Sequence, residues 1–269
     1  MRLFIFSNRD LASNYHLNLL LPQVSQWVRG VFLSDAVGRA DQPPPPYPLR
    51  ELKFFEQHLP NELLFPALEA GNGTPQGKLL TFNQLAQRYG IPFLPCNSVR
   101  SAAFRHDFAA LQPDVVLSVR FGKIFDDAFL RIPSQVVLNL HSGLLPNYRG
   151  VLASFRALLH GDDTLFSTLH TIDDASIDTG RIIGCSPLPV QPGRSLLWHV
   201  LQLYPESIAL SVETLRQLAL GGPGSLQTRP NTGGQYFTFP SEQEWAEFLA
   251  QGHRVCDVAE MRAFYAKFF

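Results

Sequence analysis

The sequence is short of the features that staple, anchor or steer a chain. Only three cysteines occur in 269 residues, Cys96, Cys185 and Cys256. They are far apart, and none belongs to a Cys-x-x-Cys pair or a His/Cys cluster. So sparse and odd a count argues against a disulfide framework or a zinc site and predicts buried thiols in a reducing compartment. Neither charge sign is in excess: 22 Lys and Arg face 23 Asp and Glu, a net charge of −1. Such a balance supplies no global field for drawing in nucleic acid or anionic lipid. No apolar run approaches the roughly 18 residues of a membrane span. The start, Met1 to Ser7, is too short an apolar run for a secretory signal. A cytoplasmic protein free of the membrane is expected. What is plentiful is apolar: 45% of residues are hydrophobic and only 17% charged, a poor match for a disordered chain. A chain this long should bury roughly 75% of the surface its unfolded form exposes.

Short apolar runs alternate with segments of helical spacing. Leu3 to Ser7 predicts a first strand, residues 11–24 an amphipathic helix, and Val28 to Leu33 a second strand. Residues 41–78 read as an irregular insertion, because Pro43-Pro44-Pro45-Pro46 and Gly71-Asn72-Gly73-Thr74-Pro75 both oppose regular structure. One helix over residues 51–58 is expected inside it. Alternation then resumes with a helix from Thr81 to Gly90, a strand at residues 91–94, and a helix over 102–111. The β-branched run at residues 114–119 is of the kind buried on both faces of a parallel sheet. Residues 125–132 read as helix and 136–141 as strand; a helix over 153–159 follows, then strands over 167–172 and 181–184. A long helix is expected over 195–220. This rhythm predicts an α/β chain, a Rossmann-like doubly wound, mostly parallel sheet. Residues 1–224 are expected to form its main domain. Residues 225–269 read as a short C-terminal extension, with a turn at 231–234, a helix over 242–250, and an aromatic packing patch of Trp245, Phe248, Phe264 and Tyr265.

In such a sheet ligands bind beyond the carboxyl ends of the strands. Two segments stand there: Ser118-Val119-Arg120-Phe121-Gly122-Lys123-Ile124, and Asn139 to Gly150. Asn139 and His141 are two residues apart on a strand end, so their side chains share a face. An amide and an imidazole aimed at one point suit oxyanion binding and proton management. Taken alone, the same pair also reads as an ordinary capped strand end. Asp178-Thr179-Gly180 has turn chemistry, and Asp173 and Asp174 read as loop carboxylates.

Taken together, Asn139-Leu140-His141, Leu144-Leu145-Pro146-Asn147-Tyr148-Arg149-Gly150 and Ile177-Asp178-Thr179-Gly180 resemble the 10-formyltetrahydrofolate-dependent formyltransferase family. The resemblance covers residues 80–190 well and the first strand and helix loosely. Ser142-Gly143 departs from the usual residues after the histidine, and the His170 to Asp178 loop is one residue longer than the pattern. What the resemblance implies is a formyltransferase fold and a catalytic set of Asn139, His141 and Asp178. Asn139 and His141 donate hydrogen bonds to an oxyanion formed when an amine attacks the formyl carbon. Asp178 holds His141 and helps carry away the amine proton. The formyl donor is 10-formyltetrahydrofolate, and no metal is required. Its pterin falls to the loop Phe121-Gly122-Lys123-Ile124 and to Asp173 and Asp174. Arg149, Tyr148, Asn14 and His16 are candidates for the acceptor side, and His170 is a weaker candidate beside them.

The family's glycine-rich phosphate loop after the first strand is absent, replaced by Ser7-Asn8-Arg9-Asp10. That disfavours a phosphoribosyl acceptor. The segment after Gly224 lacks the basic patch that a tRNA-binding domain carries. The expected acceptor is a small-molecule amine, either a nucleotide-linked amino sugar or an amine of a specialised metabolite. A nucleic acid or membrane partner is not expected, and a homodimer is left open. The alternatives are a 10-formyltetrahydrofolate hydrolase, a methionyl-tRNA formyltransferase and a folate-binding protein without catalysis.

Overall fold

A computed structural model describes residues 1–35, 45–70 and 77–269. Strand β1 (Leu3–Asn8) runs into helix α1 (Leu11–Val24), whose first turn is capped by Asp10. Strand β2 (Val28–Ser34) follows. Residues 47–70 are continuously helical: α2 (Tyr47–Lys53), a π-type stretch (Phe54–Leu64) and α3 (Phe65–Ala70). Next come α4 (Phe82–Tyr89), β3 (Phe93–Pro95), α5 (Ala102–Ala110) and β4 (Val115–Val119). After α6 (Asp127–Leu130) lie β5 (Val136–His141) and β6 (Tyr148–Gly150). The chain continues through α7 (Ala153–Leu159), β7 (Thr164–Thr171), β8 (Ile182–Pro189) and α8 (Leu196–Gly221). It ends with β9 (Gln235–Phe237), α9 (Glu242–Ala250) and α10 (Val258–Tyr265).

The main sheet has the order β3-β2-β1-β4-β5-β7-β8. The first five strands in that order are parallel, and β7 and β8 add on antiparallel. The mostly parallel, doubly wound sheet is therefore as the sequence rhythm predicts. Its strand order turns about between β1 and β4, where such sheets open a crevice. β1 is buried at every position, as the apolar run requires. One face carries a large aliphatic core that reaches α1, α8 and the C-terminal helices. The other carries a compact aromatic cluster in which Phe6 meets Phe32, Phe108, Phe125 and Phe129.

Four expectations change. The helix expected over 51–58 is present but longer, spanning Tyr47 to Ala70, so most of the described insertion is regular. Pro48 falls in the first turn, where a missing amide costs nothing, and Pro60 sits within the π-type stretch. Pro43, Pro44 and the piece 71–75 lie outside the described residues. Helix α6 is four residues long, shorter than the sequence suggests, and β8 is longer. The C-terminal segment holds a second helix, α10, and packs into the main core. Trp245 and Phe248 stack on Phe155 of α7, and the Tyr265 hydroxyl donates to the Phe55 carbonyl.

Candidate active site

A cavity of about 450 Å³ opens at the carboxyl ends of β1, β4 and β5. That volume is in the range of small-molecule sites. Asn139, His141, His170 and Asp178 meet on its floor. The antiparallel pairing of β5 with β7 sets Asn139 directly opposite His170. Asn139 Nδ2 donates to His170 Nε2 at 3.1 Å and to Asp178 Oδ1 at 3.3 Å. His170 Nδ1 donates to the Thr171 carbonyl at 2.7 Å, which leaves Nε2 to accept from Asn139.

Asp178 is the hub. Its Oδ2 accepts from the Gly150 amide at 2.8 Å and lies 3.5 Å from His141 Nδ1. Its Oδ1 lies 3.5 Å from His170 Nε2. Burial opposes ionisation of this carboxyl, but His141, His170 and the Gly150 amide outweigh it and hold it well below the ordinary carboxylate range. Asp178 also adopts a left-handed backbone, with φ +54°.

His141 Nε2 donates to the Tyr148 carbonyl at 2.6 Å. Both ring nitrogens are thus engaged, one by a carbonyl and the other by Asp178. The expected hydrogen bond from His141 toward an open oxyanion position is not preformed here. Asn139 is engaged in the same way, its two amide hydrogens going to His170 and Asp178.

The loop Phe121-Gly122-Lys123-Ile124 lines the cavity, with Ile124 43% exposed. Phe121 also packs edge-on against Phe6, so it serves the core as well. Asp174 lines the cavity and braces its own loop by accepting from the Ser176 amide. Asp173 is not among the lining residues; it accepts from the Arg181 amide at 3.4 Å. Of the four acceptor-side candidates, none lines the cavity. Asn14 is fully buried and donates to the Leu80 carbonyl. His16 is fully buried against the Tyr204 ring, and burial lowers its pKa to about 3, so it is neutral. The Tyr148 hydroxyl points to Asp162 and His160, leaving only its carbonyl at the site. Arg149 lies in the β6–β9 pairing, opposite Tyr236.

The structure adds groups that sequence reasoning passed over. Arg120, with φ +58°, leaves β4 and turns its guanidinium onto two carboxylates. Nε donates to Asp10 at 3.0 Å, and Nη2 donates to both oxygens of Glu56 at 2.9 and 3.0 Å. Burial opposes the charge on Arg120, but Asp10 and Glu56 outweigh it and raise its pKa above the ordinary value. Burial raises the Glu56 pKa to about 7, because Asp10 competes for the same guanidinium. Asp10 spends its other oxygen on capping α1 at Ser13. The helix N-terminus beside the cavity is therefore occupied by the chain's own anion. Nothing local in the sequence marks Glu56, which lies 64 residues from its partner. From the tail, Tyr236 and Phe239 line the cavity mouth.

Residues 76–197 match the family model described as formyl transferase, and this stretch contains every floor residue named above. Over this stretch the chain is similar to the formyltransferase family. A methionyl-tRNA formyltransferase from Paramagnetospirillum magneticum is 31% identical to this chain over 171 residues, 64% of this chain and 55% of the relative. The chain thus spans about half the length of that relative. Glycinamide ribonucleotide transformylase 1 from Symbiobacterium toebii superimposes with a TM-score of 0.55 at 21% identity, covering 82% of this chain and 88% of that one. A Helicobacter canadensis N-formyltransferase, solved with folinic acid and dTDP-3-aminofucose, gives 0.55 at 16% identity over 91% of this chain and 72% of its own. At these identities the two structures speak for the fold. Among the described residues no cluster of His, Cys, Asp and Glu could hold a metal ion, and no helix is long and apolar enough to cross a membrane.

Proposed function

We propose that this protein is a formyltransferase that moves a formyl group from 10-formyltetrahydrofolate to the primary amine of a small molecule. The observation that carries the reading is the Asn139–His170–Asp178–His141 cluster on the floor of a cavity large enough for a pterin and an adjoining amine. The loop at residues 121–124 and Asp174 form the pterin side, and β1, α2 and the tail form the acceptor side. Holding both reactants side by side contributes roughly 7–11 kcal/mol through orientation alone.

The chemistry asks for one donor to the oxyanion and one route for a proton. As the amine nitrogen bonds to the formyl carbon, the carbonyl oxygen gains charge. Asn139 Nδ2 meets it there once one of its hydrogens leaves His170 or Asp178 on ligand binding, an interaction of the kind that lowers barriers by roughly 2.7–4 kcal/mol. His141 adds a second donor once its Nε2 leaves the Tyr148 carbonyl on ligand binding; such hydrogen bonds often tighten only in the loaded site. The amine gives up a proton, and the departing folate nitrogen takes one. Asp178, kept ionised, and His141 beside it form the relay between them.

A small acceptor fits the charges around the cavity. Asp10, Glu56, Asp174 and Asp178 are balanced by Lys53, Arg120 and Lys123, so the lining forms no basic track for tRNA phosphates. The test is an acceptor screen with 10-formyltetrahydrofolate, following formylated products by mass spectrometry. We expect one class of small amine to be formylated, and Asp178→Ala and His141→Ala to lose that activity while staying folded. Formylation of methionyl-tRNA in preference to every small amine overturns the acceptor reading. Folate turnover without any amine points to the hydrolase. No binding of a reduced-folate analogue at millimolar concentration removes the whole proposal.

A further inference from the structure

Asp178 reaches His141 and His170 from a left-handed backbone, a conformation uncommon outside glycine and tolerated best by Asp and Asn. The turn is held from outside the matched stretch of the family. Asn231, in the tail, donates through Nδ2 to the carbonyls of both Asp178, at 3.0 Å, and Gly180, at 2.9 Å. One amide group thus bridges the two ends of the turn Asp178-Thr179-Gly180. Asn231 is itself held from both sides. Two residues before it, Arg229 exchanges both backbone hydrogen bonds with Ile182 at the start of β8, at 3.0 and 2.8 Å. Four residues after it, β9 pairs in parallel with β6.

That seating is close. A Cβ on Gly234 would come within 1.7 Å of the Pro146 carbonyl oxygen, and one on Gly150 within 2.1 Å of the Phe237 carbonyl oxygen. Gly150 is the residue whose amide donates to Asp178 Oδ2. The tail therefore grips the Asp178 turn by its carbonyls and steadies the strand that grips its carboxylate.

We propose that Asn231 is a positioning residue that aims Asp178 between His141 and His170. The assignment rests on reading this cluster as the reacting centre. Asn231 touches no reacting atom; it acts through the turn. His141 on β5 and His170 on β7 are the titratable groups facing the carboxylate, with the Gly150 amide of β6 between them.

Three variants test this in the full chain. Asn231→Asp keeps the shape but sets an acceptor against two carbonyls; Asn231→Ala removes the group; Asn231→Ser keeps a donor that reaches one carbonyl. For transfer from 10-formyltetrahydrofolate, kcat should fall in the order Ser, Ala, Asp, by roughly 10- to 100-fold for Ala. The KM for the folate should stay within about twofold, the pattern of an interaction felt mainly in the transition state. The acid limb of the kcat profile should move to higher pH as Asp178 loses its depressed pKa. A readout without substrate accompanies these: the Asp178 carboxyl carbon titration and the ring-nitrogen shifts of His141 and His170 by NMR, wild type against Asn231→Ser and Asn231→Asp. Changed signals support the assignment even if the wild type proves to transfer no formyl group, in which case only the proposed function fails. Unchanged signals, or a higher KM at constant kcat, overturn it. If the Ala and Asp variants do not fold, the Ser variant decides on the same signals.

Discussion

Replacing Glu56 with glutamine should stabilise this protein in mild alkali, although it removes one side of a buried ion pair. Glu56 is 6% exposed and shares Arg120 with Asp10. One guanidinium cannot fully compensate two carboxylates, so burial raises the Glu56 pKa from 4.5 to about 7. Between those values the folded chain holds a proton that the unfolded chain has released. Stability linked to Glu56 is therefore complete below pH 4.5 and is lost as pH rises through about 7. Each tenfold change in proton affinity is worth about 1.4 kcal/mol, so the loss amounts to about 3 kcal/mol. Glutamine mimics the protonated acid, still accepts from Arg120, and leaves Arg120 its bond to Asp10. Urea unfolding of wild type and Glu56→Gln should agree near pH 4.5 and diverge above pH 7, the variant gaining up to about 3 kcal/mol. Removing the cation instead, by Arg120→Met, leaves two facing carboxylates and should cost about 3–5 kcal/mol near neutrality. A Glu56→Gln variant less stable than wild type at pH 8 would refute the argument. It would mean that Arg120 compensates both carboxylates at once.

Two further substitutions probe how the tail is joined to the rest. Trp245→Ala removes a ring that is 2% exposed and stacked on Phe155 at 4.3 Å. It should lower the stability of the whole chain by about 3–5 kcal/mol in a single denaturant transition; an unchanged main transition would mean that the tail unfolds separately. Gly150→Ala puts a methyl into the Phe237 carbonyl at a residue with φ +97°, so it should push β9 off β6 and expose the Tyr148 and Phe237 rings. Faster amide exchange across Gln235–Phe237 is the check, and unchanged exchange would contradict the seating described above.

The legible parts of the molecule were those written in contiguous residues. The apolar runs of β1, β4 and β5 carry the sheet, and Asn139 and His141 follow directly from a strand end. The extent of the helix over 47–70 was misread because proline content outweighed the apolar spacing of Leu49, Leu52, Phe55 and Leu59. β8 was read short because Gly184 and Pro187 interrupt its alternation, although its pairing with β7 runs on to Pro189. Arg120 carries no local sign of its role, because its carboxylates are 110 and 64 positions distant. Asn14 and His16 read as acceptor candidates because they are polar residues on the first helix, yet the α1 face that holds them is turned inward. Polar side chains used as internal braces have the same composition as ligand contacts; only their direction separates the two.

The antiparallel pairing of β5 and β7 has a consequence for anyone reshaping this protein toward new acceptors. Asn139 faces His170 only because Leu140 faces Leu169 and His141 faces Thr168. A single residue inserted into or deleted from β7 inverts the side that His170 presents. It dismantles the floor while leaving composition almost untouched. Combinatorial diversity therefore belongs at the mouth, at Lys53, Gln57, Tyr236 and Phe239, where substitution alters reach and shape. The length of β7 is the one quantity such a library has to hold constant.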